Sequence, residues 1–165
     1  MTGLQIIIPG DPVAKGRPRA AVIRGQARMY TPAKTARYES KVALFAQQAM
    51  RGARRALPLD VALAVHVSAF IAIPTSWSQR KQRAALAGEI RPVSRPDADN
   101  IGKAVTDGCN GIVWRDDSLI VDWRVTKAYA LDPRVLVAVT LLEPEGVQPT
   151  LIEAPQPATE ECAFP

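Results

Sequence analysis

Apolar residues recur along this chain at two different periods, so both strands and helices are predicted. Short runs rich in β-branched residues over 4–8, 119–129 and 134–142 predict strands. The longest alternating run, 59–73, has one fully apolar and one half-apolar face, as expected of a central strand covered by a helix on one side. A turn signal at 130–133 predicts that the last two strands form a hairpin.

Helices are predicted from their start signals and from apolar residues spaced by three or four. Thr31-Pro32 predicts an N-cap and a first helical residue for a helix over 33–51. A short basic helix is predicted over 79–87, and a third helix over about 97–110, with Asp97 or Asp99 as its cap.

The composition favours one basic domain. A chain of 165 residues with 47% hydrophobic residues is long enough for one buried core. Residues 1–142 carry a net charge of +10, which predicts a polyanionic partner. Nucleic acid is favoured over a membrane because the sequence offers no basic amphipathic helix with a large apolar face. Residues 143–165, with five prolines, five glutamates and a net charge of −5, are expected to form a disordered tail.

The remaining composition favours a cytoplasmic protein with no membrane partner. Cys109 and Cys162 are too few for a disulfide framework, which favours a reducing compartment. The sequence has no recognisable signal peptide and no apolar run of membrane-spanning length. His66, the single histidine, lies in the long predicted strand and is expected to be structural.

The strongest candidate for chemistry is an acidic cluster at the start of the third helix. Asp97 and Asp99 lie two residues apart, Lys103 follows one turn later, and Asp116-Asp117 comes at the next element boundary. Crowded carboxylates repel one another unless a proton or a cation neutralises them, and Mg²⁺ prefers oxygen ligands. Helix capping, or an ion-pair ladder of Asp99, Lys103 and Asp107, would explain single residues. Neither explains the whole set, because capping needs only one carboxylate.

Two other kinds of cation site fit less well. In an EF-hand loop, Asp97, Asp99 and Gly102 would match positions 1, 3 and 6. However, Ile101 and Gly108 would then occupy positions 5 and 12, where ligands are required. A restriction-type nuclease core would need an acidic residue two positions before a lysine, and no such tripeptide follows Asp97.

A metal-dependent nuclease accounts for the set better. Two Mg²⁺ ions about 4 Å apart activate a water and stabilise the leaving 3′ oxygen, which requires carboxylates from different elements and a lysine near the phosphate. Asp97, Asp99 and Asp117 would supply metal ligands. Lys103 lies on the same helical face as Asp99 and would stabilise charge at the scissile phosphate.

Three segments carry a resemblance to a known family. RPDADNIGK at 95–103, WRDD at 114–117 and IVDWRVTK at 120–127 closely resemble the RusA family of Holliday junction resolvases, often carried by bacteria and their prophages. The resemblance covers about residues 4–142. Its most specific element is the pattern D-x-D-N-x-x-K followed about fourteen residues later by D-D.

The resemblance implies a fold, a site and an activity. The implied fold is α+β: a single domain over 1–142 with a small mixed β-sheet packed against helices, in a homodimer. The implied catalytic set is Asp97, Asp99, Asp117 and Lys103, with the three aspartates binding Mg²⁺ or a substituting Mn²⁺. The implied activity is symmetric paired incision of four-way junction DNA in recombination and repair, leaving 5′-phosphate and 3′-hydroxyl ends.

Residues outside the catalytic set are also expected to take part, and two alternative functions remain open. Asp107 and Asp116 are predicted to lie beside the metal ligands and to support them without binding the metal ion. Cations in a loop stiffened by proline and glycine and on the short basic helix are predicted to contact the DNA backbone: Lys15, Arg17, Arg19, Arg80, Lys81 and Arg83. The alternatives are a non-catalytic protein that binds DNA junctions and a less selective nuclease for flaps and replication forks.

Overall fold

The computed structural model describes residues 3–23 and 26–142. The strands of this part are β1 (Gly3–Pro9), β2 (Arg19–Ile23), β3 (Gln26–Tyr30), β4 (Leu63–Ala72), β5 (Ile120–Ala130) and β6 (Arg134–Leu141). The helices are α1 (Ala33–Gly52), α2 (Gln79–Leu86), α3 (Ala98–Cys109) and a 3-10 turn, η1 (Asp117–Leu119). The tail predicted over 143–165 lies outside the described residues, so its disorder stays a prediction.

Four strands form one mixed sheet in the order β1-β6-β4-β5, and β2 pairs with β3 in a separate hairpin. β4 runs antiparallel to β6 and parallel to β5, while β1 is antiparallel to β6 at the far edge. The predicted central position of β4 is confirmed, although the strand begins at Leu63 rather than at residue 59. The mixed sheet with its helices confirms the α+β fold.

The hairpin predicted for the last two strands is wrong. β5 and β6 both pair with β4, which lies between them. β4 is an inner strand of the sheet, and its inward side chains Leu63, Val65 and Val67 are at most 2% exposed. Both of its edges therefore need hydrogen-bonded neighbours. A turn signal between two strands does not show whether a third strand separates them.

One hydrophobic core lies between the sheet and helices α1 and α3. Alternate residues of β1, β4 and β6 enter it, together with Val42 of α1 and with Ile101 and Val105 of α3. The other sheet face carries half-buried polar residues, including His66, whose Nε2 lies 3.1 Å from Thr126 Oγ1. The sheet thus has one helix-covered face, and α3 lies on it.

The helix boundaries follow the sequence signals with one exception. α2 begins after Ser78, whose hydroxyl accepts a hydrogen bond from an amide in the first turn, and α3 ends before Gly111, which has a φ of 71°. The predicted Thr31 cap is wrong, because Pro32 itself occupies the N-cap position of α1. The carbonyl oxygen of Pro32 accepts the first helical hydrogen bond, from the Ala36 amide. Among the helices of residues 3–23 and 26–142, none combines the length and apolarity that crossing a membrane requires.

The substitution Gly108→Ala is expected to destabilise the protein, because α1 and α3 pack there without room for a side chain. A Cβ at Gly108 would lie 2.7 Å from Val42 Cβ and 3.0 Å from the Glu39 carbonyl oxygen. The free energy of unfolding, measured by urea denaturation, should fall by about 1–3 kcal/mol. Gly52→Ala is the matched control, since a Cβ there meets nothing within 4 Å. Equal losses in both variants would contradict this account of the packing.

Candidate active site

The start of α3 presents an aspartate whose carboxylate is not used to cap the helix. Asp97 occupies the N-cap position, and its carbonyl oxygen accepts a hydrogen bond from the Ile101 amide at 3.0 Å. Its side chain makes no capping hydrogen bond. Helix capping, the usual explanation of an aspartate at this position, therefore does not account for the carboxylate.

An open pocket of about 400 Å³ lies between α3 and the start of β5. It brings together Asp99, Lys103 and Asp117, three of the four residues predicted to be catalytic. Asp99 and Lys103 lie one turn apart on α3 and so share a face, while Asp117 begins η1. The other residues that line the pocket are Asn100, Thr106, Ile120 and Trp123.

The fourth predicted residue, Asp97, lines a neighbouring groove instead. This groove has a volume of about 920 Å³ and is bounded by residues 12–18, the start of α1 and residues 95–97. Asn100 lines both cavities, so they adjoin at the first turn of α3. Within 3–23 and 26–142, no three carboxylate, histidine or cysteine groups come close enough together to enclose a metal ion. The three predicted ligands are therefore divided between the pocket and the groove.

Lys103 is the cation of the pocket, and it forms no ion pair with the residues that the structure describes. The ladder of Asp99, Lys103 and Asp107 considered above is therefore not formed. Asp107 instead binds the ammonium group of Lys15. A lysine without a carboxylate partner, beside two carboxylates in one pocket, is available to bind a phosphate oxygen.

Lys15 connects three parts of the fold. Its Nζ contacts Asp107 and lies 2.6 Å from Glu39 Oε1, and its amide donates to the Asn100 carbonyl oxygen at 2.8 Å. Partial burial lowers the pKa of Lys15, but the hydrogen bonds and charges of Asp107 and Glu39 outweigh it and raise the pKa above its ordinary value. Lys15 thus fastens the 11–18 loop to α1 and α3, and two carboxylates balance its charge.

Asp116 and Asp117 occupy different environments although they are adjacent. Asp116 caps η1: its Oδ1 accepts a hydrogen bond from the Ser118 amide at 2.9 Å. The hydrogen bonds with Ser118 hold the pKa of the exposed Asp116 carboxyl below its usual range. Asp117, the next residue, lines the pocket. Asp116 therefore fixes the turn that presents Asp117.

Strand β5 supplies two residues of the pocket that were not among the predicted site residues. β4 and β5 pair with a bulge, since Leu63 faces Ile120 and the next residue, Ala64, faces Asp122. The extra residue brings Ile120 and Trp123, three positions apart, to the same side of the strand. Simple alternation cannot predict this. The sequence carried one signal, the tryptophan itself. In the structure its side chain remains 45% exposed.

The cations predicted to contact DNA are spread over three elements. Lys15 and the exposed Arg17 line the groove, and Arg19 is the first residue of β2. The other three lie on α2, outside both the pocket and the groove: Arg80, Lys81 and Arg83. The groove also contains Lys34 and Arg95, two cations that were not among the predicted contacts.

Comparison with known proteins shows the family to which the chain belongs. A protein-family model described as "Endodeoxyribonuclease RusA" matches residues 9–140. This chain belongs to the RusA endodeoxyribonuclease family. It is also similar to "Uncharacterized protein YqaN" of Bacillus subtilis (strain 168), with 35% identity over 139 residues, covering 84% of this chain and 96% of that protein. The resemblance drawn from the motifs is confirmed, and membership of the RusA family implies endodeoxyribonuclease activity.

The donor groups of this RusA pocket fit a divalent metal ion, on which RusA nucleases generally depend. Asp99 and Asp117 offer carboxylate oxygens and Asn100 an amide oxygen, all of the hard type that Mg²⁺ prefers. Mg²⁺ usually takes only one or two protein carboxylates and completes its shell with water and substrate phosphate. Two carboxylates in an open pocket leave room for water and phosphate oxygens. They therefore suit Mg²⁺ better than an enclosed site in which the protein supplies every ligand would.

The substitution Gly102→Ala is expected to change the pocket of this RusA protein without altering its carboxylates. A Cβ at Gly102 would lie 2.5 Å from Trp123 Cζ2 and 2.7 Å from Val125 Cγ2, so the indole ring must move. Alanine is favoured over glycine in a helix interior by about 1 kcal/mol, yet we expect a net loss of stability. Near-UV circular dichroism should also change.

A Trp123→Leu background is the matched control for Gly102→Ala, because a smaller side chain leaves more room for the added methyl group. The loss of stability should be smaller in that background. Stabilisation by Gly102→Ala with an unchanged near-UV spectrum would contradict the close packing of α3 on β5.

Proposed function

We propose that this RusA-family protein is a structure-selective endonuclease that resolves Holliday junctions by symmetric paired incisions. The main support is that Asp99, Lys103 and Asp117 share one open pocket, with the lysine outside any ion pair of the described residues. Metal-assisted hydrolysis of a phosphodiester requires carboxylates and a cation beside an accessible depression. The net positive charge of residues 1–142 favours association with DNA.

Each residue of the set has a proposed role in this reaction. Asp99 and Asp117 would hold Mg²⁺, for which Mn²⁺ can substitute, and Asp97 would contribute from the adjoining groove. The chemistry that the bound cation supplies is charge stabilisation at the phosphate and activation of the attacking water. Lys103 binds a non-bridging phosphate oxygen and stabilises the negative charge that develops on it. The oxygen of the attacking water bonds to phosphorus as the bond to the 3′ oxygen breaks. The water gives up a proton to solvent and the 3′ oxygen takes one, which leaves 5′-phosphate and 3′-hydroxyl ends.

Symmetric resolution requires two such sites, because each incision is made in one strand. The described part of the chain supplies one pocket with this set of groups. We therefore propose a homodimer that places one pocket at each of two opposed strands of the junction.

The groove beside the pocket is the proposed path of the DNA backbone. Arg17, Lys34 and Arg95 line it without an ion pair to the described residues, whereas the charge of Lys15 is balanced. Lys34 and Arg95 therefore join Arg17 as proposed phosphate contacts, and Lys15 takes a structural role. The remaining cations stay proposed contacts further from the pocket: Arg19, Arg80, Lys81 and Arg83.

Cleavage of a labelled mobile four-way junction tests the proposed activity. With Mg²⁺, the protein should give symmetric nicked duplexes, and with EDTA it should give none. Asp99→Asn should lower the cleavage rate about 100-fold or more, because an amide is a weaker metal ligand than a carboxylate. Asp132→Asn is the matched control, since Asp132 is 86% exposed and lies outside both cavities.

Other substrates separate the proposal from its alternatives. Equal cleavage of four-way junctions, replication forks and flaps would favour the less selective nuclease. Binding to the junction without cleavage in Mg²⁺ or Mn²⁺ would overturn the enzymatic proposal and leave a DNA-binding protein.

The salt dependence of DNA binding tests the proposed path through the groove. Affinity measured in EDTA should fall linearly with the logarithm of the salt concentration. In a double variant, Lys34→Gln with Arg95→Gln, the slope should be smaller by about 1 for each phosphate that the variant no longer neutralises. Arg51→Gln with Arg54→Gln is the matched control at the opposite end of α1 and should change the slope less. Equal slopes for the two double variants would exclude the groove as the DNA path.

A further inference from the structure

The segment that precedes Asp97 has no regular secondary structure to hold it in place. Residues 87–97, between α2 and α3, contain no helix or strand. Within the described part of the chain, the main chain of residues 91–96 receives hydrogen bonds from one side chain, that of Lys127. The Nζ of Lys127 donates to the Ser94 carbonyl oxygen at 2.9 Å and to the Pro96 carbonyl oxygen at 3.0 Å.

Lys127 is itself held by regular structure. It lies in β5, opposite Ala69 in the parallel pairing with the central strand β4. Trp123, Val125 and Lys127 alternate along β5 and so lie on one face of the strand. Trp123 lines the pocket, and Trp123 and Val125 are the residues that a Cβ at Gly102 would meet. One face of β5 thus contacts the pocket, helix α3 and the segment that leads to Asp97.

Asp97 depends on this support because its own side chain is not anchored. Its carboxylate makes no capping bond, so its position is set by the backbone on either side. On one side the backbone enters α3, and on the other the Pro96 carbonyl oxygen binds Lys127. A lysine suits this position, because an ammonium group has three donors and no acceptor and can serve two carbonyl oxygens.

We propose that Lys127 is a positioning residue of the nuclease: by holding the carbonyl oxygens of Ser94 and Pro96, it sets where Asp97 stands relative to the pocket of Asp99 and Asp117. This inference rests on the proposed function, because it assigns a purpose to the placement of Asp97. Lys127 lines neither the pocket nor the groove and is not itself a catalytic residue.

The test compares Lys127→Met, which removes the charge and the donors, with Lys127→Arg, which keeps both. Arg124→Met is the matched control, a loss of one positive charge at an exposed position on the opposite face of β5. Amide hydrogen exchange over residues 91–99 should be faster in Lys127→Met than in the control. Should Lys127→Met not fold, Lys127→Gln replaces it, since it retains a donor group.

Kinetics separate positioning of the site from support of the fold alone. In Lys127→Met, kcat for junction cleavage should fall about 10–100-fold while KM changes little, and the Mg²⁺ concentration for half-maximal rate should rise. Lys127→Arg should recover most of the lost rate. The shift of Tm on adding Mg²⁺, measured without DNA, should be smaller in Lys127→Met than in the control.

The outcomes also separate this inference from the proposed function. Normal kcat, Mg²⁺ dependence and hydrogen exchange in Lys127→Met would overturn the positioning role. Lower global stability with unchanged kcat and Mg²⁺ dependence would do the same and leave Lys127 a structural residue. If the wild-type protein cuts no junction, the proposed function fails, while hydrogen exchange and the Mg²⁺-dependent Tm still decide whether Lys127 orders the segment around Asp97.

Discussion

The close packing of α3 between β5 and α1 is the constraint on which the site depends. Gly102 faces Trp123 and Val125 of the strand, and Gly108 faces Val42 of α1, in each case with no space for a Cβ. The two glycines let the helix come within reach of both neighbours at once. The position of α3 then fixes Asp99 and Lys103 relative to Asp117, which lies on a different element. The placement of the candidate site residues therefore depends on the close contacts behind them.

Electrostatics divides the charged residues of this region into two groups. Lys15, Glu39 and Asp107 satisfy one another and hold the 11–18 loop against two helices. Lys103, Asp97, Asp99 and Asp117 take no part in ion pairs among the described residues. These unpaired groups are the ones to which the proposed function assigns a metal ion and a phosphate. Because Lys15 and Asp107 pair with each other, Asp107 would not compete with Asp99 and Asp117 for a metal ion. Lys15, likewise, would not compete with Lys103 for a phosphate.

Local sequence predicted the elements well, because strand alternation, helix periodicity and stop signals act over a few residues. It also predicted that Asp99 and Lys103 share a face of α3, because residues four apart on a helix are neighbours. That these two residues and Asp117 line one pocket is seen only in the fold. It failed where distant segments decide. The place of β4 between β5 and β6, the bulge that turns Trp123 toward the pocket, and the pairing of Asp107 with Lys15 all depend on contacts across the fold. The position of Asp97 in the groove, apart from the other three predicted catalytic residues, also depends on contacts across the fold.

Asn100 lines the pocket and the groove together, and its carbonyl oxygen also receives the Lys15 amide. One residue therefore belongs to the pocket, to the groove proposed as the DNA path and, through its main chain, to the packing of the 11–18 loop. A substitution at Asn100 changes the lining of the pocket and of the groove together, whereas the main-chain carbonyl oxygen that binds the Lys15 amide is kept. The two proposed roles of this region, holding the DNA backbone and cutting it, are therefore coupled at the Asn100 side chain.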